Sequence, residues 1–528
     1  MAAAASCRAL PFLVHRGSLL GRTYVHRRST AMSGVSKDLL DKLHDPALIH
    51  DSCLVGGERV GSPDGSNFEV FNPSTGESVA SIASVGAETT NAAISAAVSV
   101  RTSWAETLAS ERSAFLKRWH QLIVESLDDL ATIITAEAGK PLQDSKAELQ
   151  AGLATIEWMA EECTRIGGEI LNSPSPTKQM ITLKQPVGVV GAITPWNFPA
   201  NMIMRKVAPV LAAGCPVVLK PAELTPLSAI ALAELADRAG LPKGVLSVVC
   251  GDFKAIGRAL LDSADVRHIT FTGSTGVGKY LAQEAGKTVK RVSMELGGNA
   301  PFIVFDDADL PLAAKHAVAS ALRNAGQACT RANRLLVQSG IYDEFVKAAT
   351  EHVNQANVGN GFDSGVTLGP LISAQALEKV ESHVADGLAK GGTCTAGGKR
   401  PDFEGASSGN FFEPTLLRDA SIDMLCCQEE TFGPLIPVVK FETEEEAIGL
   451  ANATEYGLAA YFYTKDLGRA WRVAKKLESG IVAVNDIAFH SPAAPFGGMK
   501  QSGIGREQGR EGLEEFLEVK HVCMGYGY

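Results

Sequence analysis

With 528 residues, the chain is too long for one ordinary hydrophobic core and is expected to divide into two or more domains. Its 45% hydrophobic and 20% charged residues are typical of a soluble globular protein, and its longest apolar runs are too short to span a bilayer. A net charge of −10 argues against a nucleic-acid-binding protein. Ten scattered cysteines without a Cys-x-x-Cys pair indicate neither a metal site nor a disulfide framework.

The first 37 residues differ from the rest, because they contain five arginines and one lysine but no Asp or Glu. Apolar residues and serines lie between these charges, which is typical of an organellar transit peptide. The apolar stretch at residues 9–14 is too short for a secretory signal. We therefore predict a transit peptide at residues 1–33 and a mitochondrial matrix location, with the plastid as the alternative compartment and a disordered basic tail as the structural alternative.

From residue 87 to residue 139, helix-like apolar spacing predicts a long helical tract. After Pro186, short strands and helices alternate. The strands are predicted at residues 187–193, 216–219, 245–249 and 269–271, and the helices at residues 200–213, 227–239 and 256–261. This order predicts a parallel sheet flanked by helices, a Rossmann-like dinucleotide fold. A second α/β run, from about residue 297 to residue 496, is interpreted as the catalytic domain.

A glycine-rich segment follows the last of these strands. Its sequence is Gly273-Ser274-Thr275-Gly276-Val277-Gly278. If the segment opens a helix, its amides are placed to bind a pyrophosphate at the helix N-terminus. The spacing G-x-x-G-x-G departs from the usual G-x-G-x-x-G, so the segment by itself is equally compatible with a structural turn.

Cys329 and Glu295, which lies thirty-four residues before it, indicate the chemistry of the chain. A thiolate attacks a carbonyl carbon well, and a carboxylate in the same site can activate the water that releases the product. Small residues beside both groups allow the backbone to approach a ligand closely. A single Cys is more often a small buried apolar residue, so the interpretation depends on the motifs around it.

Seven motifs, taken in chain order, carry a resemblance to a known family. They are PVGVVGAITPWNFP (186–199), VLKPAE (218–223), FTGSTGVG (271–278), MELGGNAP (294–301), NAGQAC (324–329), ETFGP (430–434) and PFGGMKQSG (495–503). Together they resemble the aldehyde dehydrogenase superfamily, over residues from about 55 to 522. The resemblance implies an α/β fold with a Rossmann-like NAD-binding domain, an α/β catalytic domain and a small β bridging element.

The resemblance also implies a mechanism. Cys329 attacks the aldehyde, and the oxyanion of the resulting thiohemiacetal lies beside the side-chain NH₂ of Asn197 and the backbone N–H of Cys329. After hydride transfer, a thioester remains, and water activated by Glu295 hydrolyses it to a carboxylate. A CoA-acylating relative is a rival interpretation, but Glu295 favours hydrolysis. A catalytically silent binding protein on the same scaffold is the rival from another class.

The implied cofactor is NAD. Its expected contacts are Thr194, Trp196, Lys220, Pro221, Ala222, Glu223, Gly273, Ser274, Thr275, Gly276, Val277, Gly278, Leu296, Glu430 and Phe432. Lys220 and Glu223 are implied at the adenosine ribose. A carboxylate there accepts hydrogen bonds from the ribose hydroxyls and repels a 2′-phosphate, so NAD is expected in preference to NADP.

Within the superfamily, the chain is most similar to members that oxidise succinic semialdehyde. Arg205 and Arg323 match positions that bind the distal carboxylate of that substrate, for which a guanidinium fork is well suited. His490 stands where relatives have a serine contact; it is expected to donate a hydrogen bond, to carry a charge when protonated, or to belong to a reshaped loop. Glutarate semialdehyde, one methylene longer, and other aliphatic aldehydes are the alternatives. Relatives often have Cys-x-Cys at the nucleophile, but here Arg331 replaces the second thiol, so a disulfide switch is not expected.

The implied domains follow these motifs. We predict an NAD-binding domain at residues 34–296, with a bridging element inserted at about residues 167–184, and a catalytic domain at residues 297–500. Residues 501–528 are predicted to form an oligomerisation segment with a strand near residues 517–524. The resemblance implies a homo-oligomer, either a dimer or a tetramer.

Overall fold

Parallel strands that end at a common edge organise the part of the chain that the computed structural model describes, residues 34–526. The predicted transit peptide at residues 1–33 lies outside this part. The strands, in chain order, are β1 (Cys53–Val55), β2 (Glu58–Val60), β3 (Asn67–Phe71), β4 (Ser78–Ala83), β5 (Ile170–Leu171), β6 (Lys178–Pro186), β7 (Val189–Ile193), β8 (Val217–Lys220), β9 (Leu246–Val248), β10 (Val266–Thr272), β11 (Arg291–Glu295), β12 (Ala300–Val304), β13 (Ala332–Gln338), β14 (Thr393–Ala396), β15 (Thr415–Arg418), β16 (Leu435–Phe441), β17 (Ala459–Tyr463), β18 (Ile481–Val484), β19 (Gly503–Ile504) and β20 (Leu517–Gly525).

The helices cover the faces of the sheets. They are α1 (Lys37–Asp41), α2 (Ala87–Glu106), α3 (Ala109–Glu125), α4 (Leu127–Ala138), α5 (Leu142–Glu162), α6 (Pro199–Ala213), α7 (Leu227–Arg238), α8 (Phe253–Asp262), α9 (Thr275–Gly286), α10 (Leu310–Leu322), α11 (Tyr342–Val353), α12 (Ala374–Ala389), α13 (Leu425–Gln428), α14 (Glu444–Asn452), α15 (Leu467–Lys476) and α16 (Gly509–Glu514). Within residues 34–526, no helix combines the length and the apolar content that crossing a membrane requires.

An eight-stranded sheet has the order β19-β11-β10-β7-β8-β9-β1-β2. Its five central strands, from β11 to β9, are parallel, and helices connect most of them. Strands β7 and β8 are buried on both faces, as expected for a parallel sheet covered by helices on both sides. The predicted Rossmann-like sheet is therefore confirmed.

A seven-stranded sheet forms the second α/β layer, in the order β14-β15-β16-β13-β12-β17-β18. All neighbours are parallel except β14 and β15, which are antiparallel. Two buried apolar clusters lie against the two faces of this sheet. This layer corresponds to the second α/β run of the sequence.

The helical tract predicted at residues 87–139 consists of three helices, α2, α3 and α4. The chain leaves helical geometry at Thr107 and Leu108, and α4 ends at Gly139 with φ +75°. A left-handed residue that ends a helix favours glycine, which lacks the Cβ that would clash. This turn places Lys140 directly after the helix.

The bridging element and the C-terminal strand form one three-stranded antiparallel sheet, β20-β6-β5. Strand β20 pairs with β6 along its whole length, from Leu517 opposite Pro186 to Gly525 opposite Lys178. The residues after 500 thus contribute strands to two sheets, because β19 pairs with β11 at the edge of the eight-stranded sheet.

Candidate active site

The site lies where the carboxyl ends of four parallel strands face the beginning of a strand from the other sheet. Strands β7, β8, β10 and β11 end at one edge of the eight-stranded sheet. Cys329 shortly precedes β13, which lies in the centre of the seven-stranded sheet. Ligands of open α/β sheets bind outside the carboxyl ends of the strands, and a cavity of about 240 Å³ is found there.

Eight of the predicted site residues line this cavity. They are Trp196, Asn197, Gly273, Ser274, Leu296, Cys329, Glu430 and Phe432. Trp196 and Phe432 form one wall, with ring centroids 5.4 Å apart in an edge-to-face arrangement. The predicted nucleophile, the predicted oxyanion donor and part of the predicted cofactor contacts therefore share one space.

Backbone packs tightly around Cys329. A Cβ at Gly298 would collide with the carbonyl oxygen of Cys329, so this approach requires glycine. Within residues 34–526, the backbone N–H of Cys329 donates to no protein group and is free for a ligand. Burial, with the negative charges of Glu430 and Glu295, raises the pKa of the Cys329 thiol to about 12. The resting nucleophile is therefore a neutral thiol.

A left-handed turn immediately precedes the nucleophile. Asn324, Ala325 and Gly326 have φ values of +53°, +54° and +75°. Non-glycine residues in this region are strained and occur chiefly where the surroundings impose them. The side chain of Asn324 imposes the turn here, because its Nδ2 donates to the carbonyl oxygens of Asn197 at 2.9 Å and of Gln327 at 3.2 Å.

The side-chain amide of Asn197 is held in one orientation. Its Oδ1 accepts a hydrogen bond from the backbone N–H of Phe198 at 3.1 Å, and its Nδ2 donates to the carbonyl oxygen of Gln327 at 3.0 Å. An amide nitrogen carries two hydrogens, so one donor remains. That donor belongs to a side chain that lines the same cavity as Cys329.

Glu295 is buried beside the cavity but does not line it. Its Oε2 has no hydrogen-bond partner among the described residues. Burial and the charge of Glu507 raise the pKa of Glu295 well above its usual value, against the opposing charges of Arg205 and Lys206. Burial therefore favours the protonated form of the carboxyl, and its ionised form, which can act as a base, becomes more populated as the pH rises.

Glu430 lies in the cavity and is held by two neighbours. Its Oε1 accepts from the backbone N–H of Gly298 at 3.0 Å, and its own carbonyl oxygen accepts from Lys379 Nζ at 2.6 Å. Burial raises the pKa of Glu430 to about 7, although the Gly298 N–H and Lys379 favour the charged form. Its charge therefore changes near neutral pH.

The residues expected at a dinucleotide fit such a group. Helix α9 begins after Ser274, whose side chain does not cap it, and open space lies beside Gly276 in its first turn. A free helix N-terminus of this kind binds a phosphate well. Thr194 Oγ1 is buried without a protein partner in the described part of the chain. Lys220 and Glu223 form an ion pair at the end of β8, whereas Pro221 and Ala222 connect them.

A second cavity, of about 320 Å³, lies on another side of the Cys329 loop. Its lining includes Arg323, His490, Tyr461, Thr330 and Arg331. Arg323 Nη1 lies 3.0 Å from His490 Nε2. A guanidinium has only donors, so His490 accepts this hydrogen bond in its neutral form. The structure thus brings Arg323 and His490 together.

This contact bears on the protonation state of His490. Desolvation by its neighbours, with the charges of Arg323 and Arg205, lowers the pKa of His490 to about 3, even though part of the side chain reaches solvent. The hydrogen bond from Arg323 and the lowered pKa favour the neutral form of His490, which holds Arg323 from one side. The role of His490 toward a substrate stays a prediction.

Arg205 lines neither of the two cavities. Its side chain is buried, its Nη2 lies 3.1 Å from Glu507 Oε2, and its guanidinium stacks 3.9 Å from the ring centroid of Phe496. Glu507 also pairs with Lys206 at 2.6 Å. Although burial opposes ionisation, Lys206 and Arg205 hold the pKa of Glu507 below its usual value.

Arg331 occupies the position of the absent second thiol and is fully buried. Its guanidinium donates to the carbonyl oxygens of Gly433 and Leu435, on the segment that follows Glu430 and Phe432. Arg331 therefore ties the Cys329 loop to this segment. Among the described residues, no cluster of three or more His, Cys, Asp or Glu side chains is suited to hold a metal ion.

Sequence reasoning missed four residues that hold this site, namely Lys140, Glu148, Asn324 and Glu507. Asn324 belongs to the NAGQAC motif and was available from it. Lys140 follows a glycine turn, but nothing in its local sequence indicates that it reaches Asn197. Glu507 is brought to Lys206 from 301 residues away, a contact that no local pattern predicts.

Comparisons with known proteins agree with this geometry. The sequence profile of the aldehyde dehydrogenase family matches residues 60–522. The chain belongs to the aldehyde dehydrogenase family.

Individual relatives are similar over nearly the whole chain. A 3-sulfolactaldehyde dehydrogenase of Pseudomonas putida is 50% identical, with 92% of this chain and 99% of the relative covered. A mitochondrial succinate-semialdehyde dehydrogenase of Arabidopsis thaliana is 50% identical over 94% of this chain and 93% of the relative. The crystal structure of an Escherichia coli NADP-dependent enzyme has a TM-score of 0.90 and 48% identity, and covers 92% of this chain and 100% of that one.

Proposed function

We propose that this chain is an NAD-dependent dehydrogenase that oxidises succinic semialdehyde to succinate through a thioester on Cys329. One observation carries the catalytic part of this proposal. Cys329, the fixed amide of Asn197, and Glu430 and Phe432 line one cavity at the carboxyl edge of a dinucleotide-type sheet. This arrangement supports the proposed roles of Cys329 as nucleophile, of Asn197 as oxyanion donor, and of Glu430 and Phe432 as cofactor contacts.

Cys329, Asn197 and Glu295 act at different steps of the proposed reaction. The Cys329 thiol gives up its proton to water, and its Sγ forms a bond to the aldehyde carbon. The carbonyl oxygen, now negatively charged, meets the free N–H of Cys329 and the amide of Asn197. A bound nicotinamide dinucleotide supplies an acceptor for the hydride that leaves this carbon, and a thioester on Cys329 remains. Glu295, in its ionised form, takes a proton from a water molecule, whose oxygen attacks the thioester carbon. The bond to Cys329 breaks, and the sulfur leaves as a thiolate that takes up a proton.

The preference for NAD rests on Glu223. Its carboxylate is partly exposed at the end of β8, where Lys220 fixes it. A negative charge at this place repels a 2′-phosphate. The relatives leave the choice of cofactor open, because the similar Escherichia coli enzyme is NADP-dependent.

The substrate proposal rests on Arg323. It is a cation with free donors, it lines a cavity beside the Cys329 loop, and His490 holds it from one side. An aldehyde with an anionic group at its far end fits this arrangement. Two relatives support the same chemistry, because one is named for 3-sulfolactaldehyde, which carries a sulfonate, and the other for succinate semialdehyde, which carries a carboxylate. Glutarate semialdehyde remains the alternative, because one methylene is worth only about 1–3 kcal/mol of discrimination.

A panel of purified-enzyme assays tests the proposal. Succinic semialdehyde, glutarate semialdehyde, 3-sulfolactaldehyde and butanal are each assayed with NAD and with NADP, by the absorbance of reduced cofactor. Cys329→Ala should abolish turnover and leave NAD binding nearly unchanged, whereas Cys394→Ala, at the far edge of the second sheet, serves as a matched control. Turnover by Cys329→Ala would refute the nucleophile, and a higher kcat/KM for another aldehyde would refute the substrate.

We also propose a homo-oligomer. The three-stranded sheet exposes apolar side chains, among them Ile170 at 81% and Val519 at 65% exposure. Exposed apolar side chains on a sheet of this kind indicate a surface that a second copy covers. Light scattering of the enzyme and of an Ile170→Lys/Val519→Lys variant tests this, since a smaller mass is expected for the variant.

The mitochondrial location is likewise a proposal, supported by the Arg-rich, acid-free leader and by a mitochondrial relative. Fusion of residues 1–37 to a fluorescent protein should direct it to mitochondria. Delivery to plastids, or retention in the cytosol, would contradict the proposal.

A further inference from the structure

A buried lysine lies beneath the segment that carries Asn197. The side chain of Lys140 is 2% exposed, and its Nζ lies 2.6 Å from Oε2 of Glu148, whose side chain is 0% exposed. The turn at Gly139 directs Lys140 inward, and its ammonium lies 4.3 Å from the ring centroid of Phe198. A charge this deeply buried is retained only with close partners, because desolvation is costly.

The Lys140–Glu148 pair holds the segment from Asn197 to Asn201 at two points. Lys140 Nζ donates to the backbone carbonyl oxygen of Asn197 at 2.6 Å. Glu148 Oε1 accepts from the backbone N–H groups of Ala200 at 2.8 Å and Asn201 at 3.1 Å, in the first turn of the helix that follows. The peptide before Phe198 and the start of α6 are therefore fixed by one ion pair.

A chain of hydrogen bonds connects Lys140 to the donor that faces the cavity. The ammonium binds the carbonyl oxygen of the Asn197–Phe198 peptide, and the N–H of that same peptide donates to Asn197 Oδ1 at 3.1 Å. The amide of that side chain carries the donor Nδ2. A cation at one end polarises each successive group in such a chain and strengthens the last donor.

We propose that Lys140 is a positioning residue of the oxyanion hole. Through its hydrogen bond to the Asn197–Phe198 peptide, it fixes the orientation of the Asn197 amide and strengthens Nδ2 as a donor. The side chain of Asn324 donates to the same carbonyl oxygen of Asn197, so this oxygen also positions the left-handed turn before Cys329. The inference rests on the proposed oxyanion role of Asn197.

A mutant cycle on the intact enzyme tests this inference. The variants are Lys140→Met, Asn197→Ala and the combination of both. The control is Lys146→Met, which removes an ion pair to Asp128 from the helix that also carries Glu148. The readouts are the single-turnover rate of cofactor reduction with succinic semialdehyde and NAD, the KM for the aldehyde, and the midpoint of thermal unfolding. Lys146→Met should leave the rate unchanged.

The expected rates follow from the proposal that Lys140 acts only through the hydrogen bonds that lead to Asn197. Asn197→Ala should slow cofactor reduction about 10²–10³-fold, as the loss of one oxyanion donor does. Lys140→Met should slow it about tenfold, with little change in KM, because a charge-assisted hydrogen bond in the path is lost. In the Asn197→Ala background, Lys140→Met should cost less than about twofold, since residues that act through one another are not additive.

A double variant without the buried charges distinguishes an effect of Lys140 on the reaction rate from an effect on folding stability. Lys140→Met/Glu148→Gln leaves no unpaired buried charge, and the glutamine that replaces Glu148 keeps an acceptor for the start of α6. We expect its unfolding midpoint to recover towards that of the unchanged enzyme while the rate stays low. If Lys140→Met alone does not fold, this pair replaces it in the cycle.

Three results would overturn the inference. A rate that recovers together with the unfolding midpoint would make Lys140 purely structural. Equal losses from Lys140→Met with and without Asn197 would show that it does not act through Asn197. An Asn197→Ala enzyme of normal rate would refute the oxyanion role, and with it the inference, so the two failures are distinguished.

Discussion

Replacing Arg323 with Leu should impair the enzyme for anionic aldehydes far more than for neutral ones. Arg323 lines the 320 Å³ cavity and donates to no protein carboxylate within residues 34–526. Its guanidinium is therefore available to the distal carboxylate of a substrate. A hydrogen bond between charged groups is worth about 1.5–3 kcal/mol, which corresponds to a loss of about ten- to hundred-fold in kcat/KM.

The other contacts of Arg323 determine the loss of kcat/KM that charged and neutral aldehydes should share. The substitution also removes the hydrogen bond to His490 and a cation–π contact of 5.3 Å with Phe198. These losses reshape the cavity for every substrate, and the cation–π part is worth about 0.5–1 kcal/mol at an exposed site. The ratio of kcat/KM for succinic semialdehyde to kcat/KM for butanal cancels them and isolates the charge.

Arg205→Leu is the matched comparison, because Arg205 lines neither cavity and is paired with Glu507. Its loss leaves Glu507 with Lys206 alone, so we expect a lower unfolding midpoint and similar losses for both aldehydes. The reasoning on Arg323 fails if its variant loses equally on succinic semialdehyde and butanal. If Arg205→Leu shows the selective loss instead, the carboxylate binds at Arg205.

Three other predictions concern the nucleophile and its neighbours. Glu295→Gln should produce a burst of reduced cofactor in stopped-flow assays and then stall, because the thioester forms but water is not activated. Since burial raises the pKa of Glu295, the rate of thioester hydrolysis in the unchanged enzyme should rise with pH. A rate that does not change with pH would contradict this. Glu223→Ser should lower the NAD/NADP ratio of kcat/KM, because a negative charge beside the ribose is removed, and an unchanged ratio would place cofactor selection elsewhere. Peroxide should inactivate the enzyme without forming a disulfide within the Cys329 loop, because Arg331 replaces the second cysteine of the Cys-x-Cys pair. A reversible disulfide between Cys329 and another cysteine of the chain, found by mass spectrometry, would refute this.

The sequence by itself predicted the alternating strands and helices between residues 187 and 271 and the candidate residues of the site. Alternating short apolar runs and helical spacing predicted the parallel sheet, because side-chain periodicity is a local property of each element. Lys220 and Glu223, which follow the strand predicted at residues 216–219, were predictable at the carboxyl edge of the sheet, where open α/β sheets bind ligands.

The tertiary structure alone decided how these residues are supported. Lys140 reaches the carbonyl oxygen of Asn197 across 57 residues, and Glu507 reaches Lys206 across 301. Such contacts depend on the packing of α5, α6 and the C-terminal segment, which no local pattern encodes. The neutral state of His490 is also a tertiary effect, since it follows from desolvation and the charges of Arg323 and Arg205. Burial and partner charges arise only when distant segments meet, and they set the protonation states on which the chemistry depends.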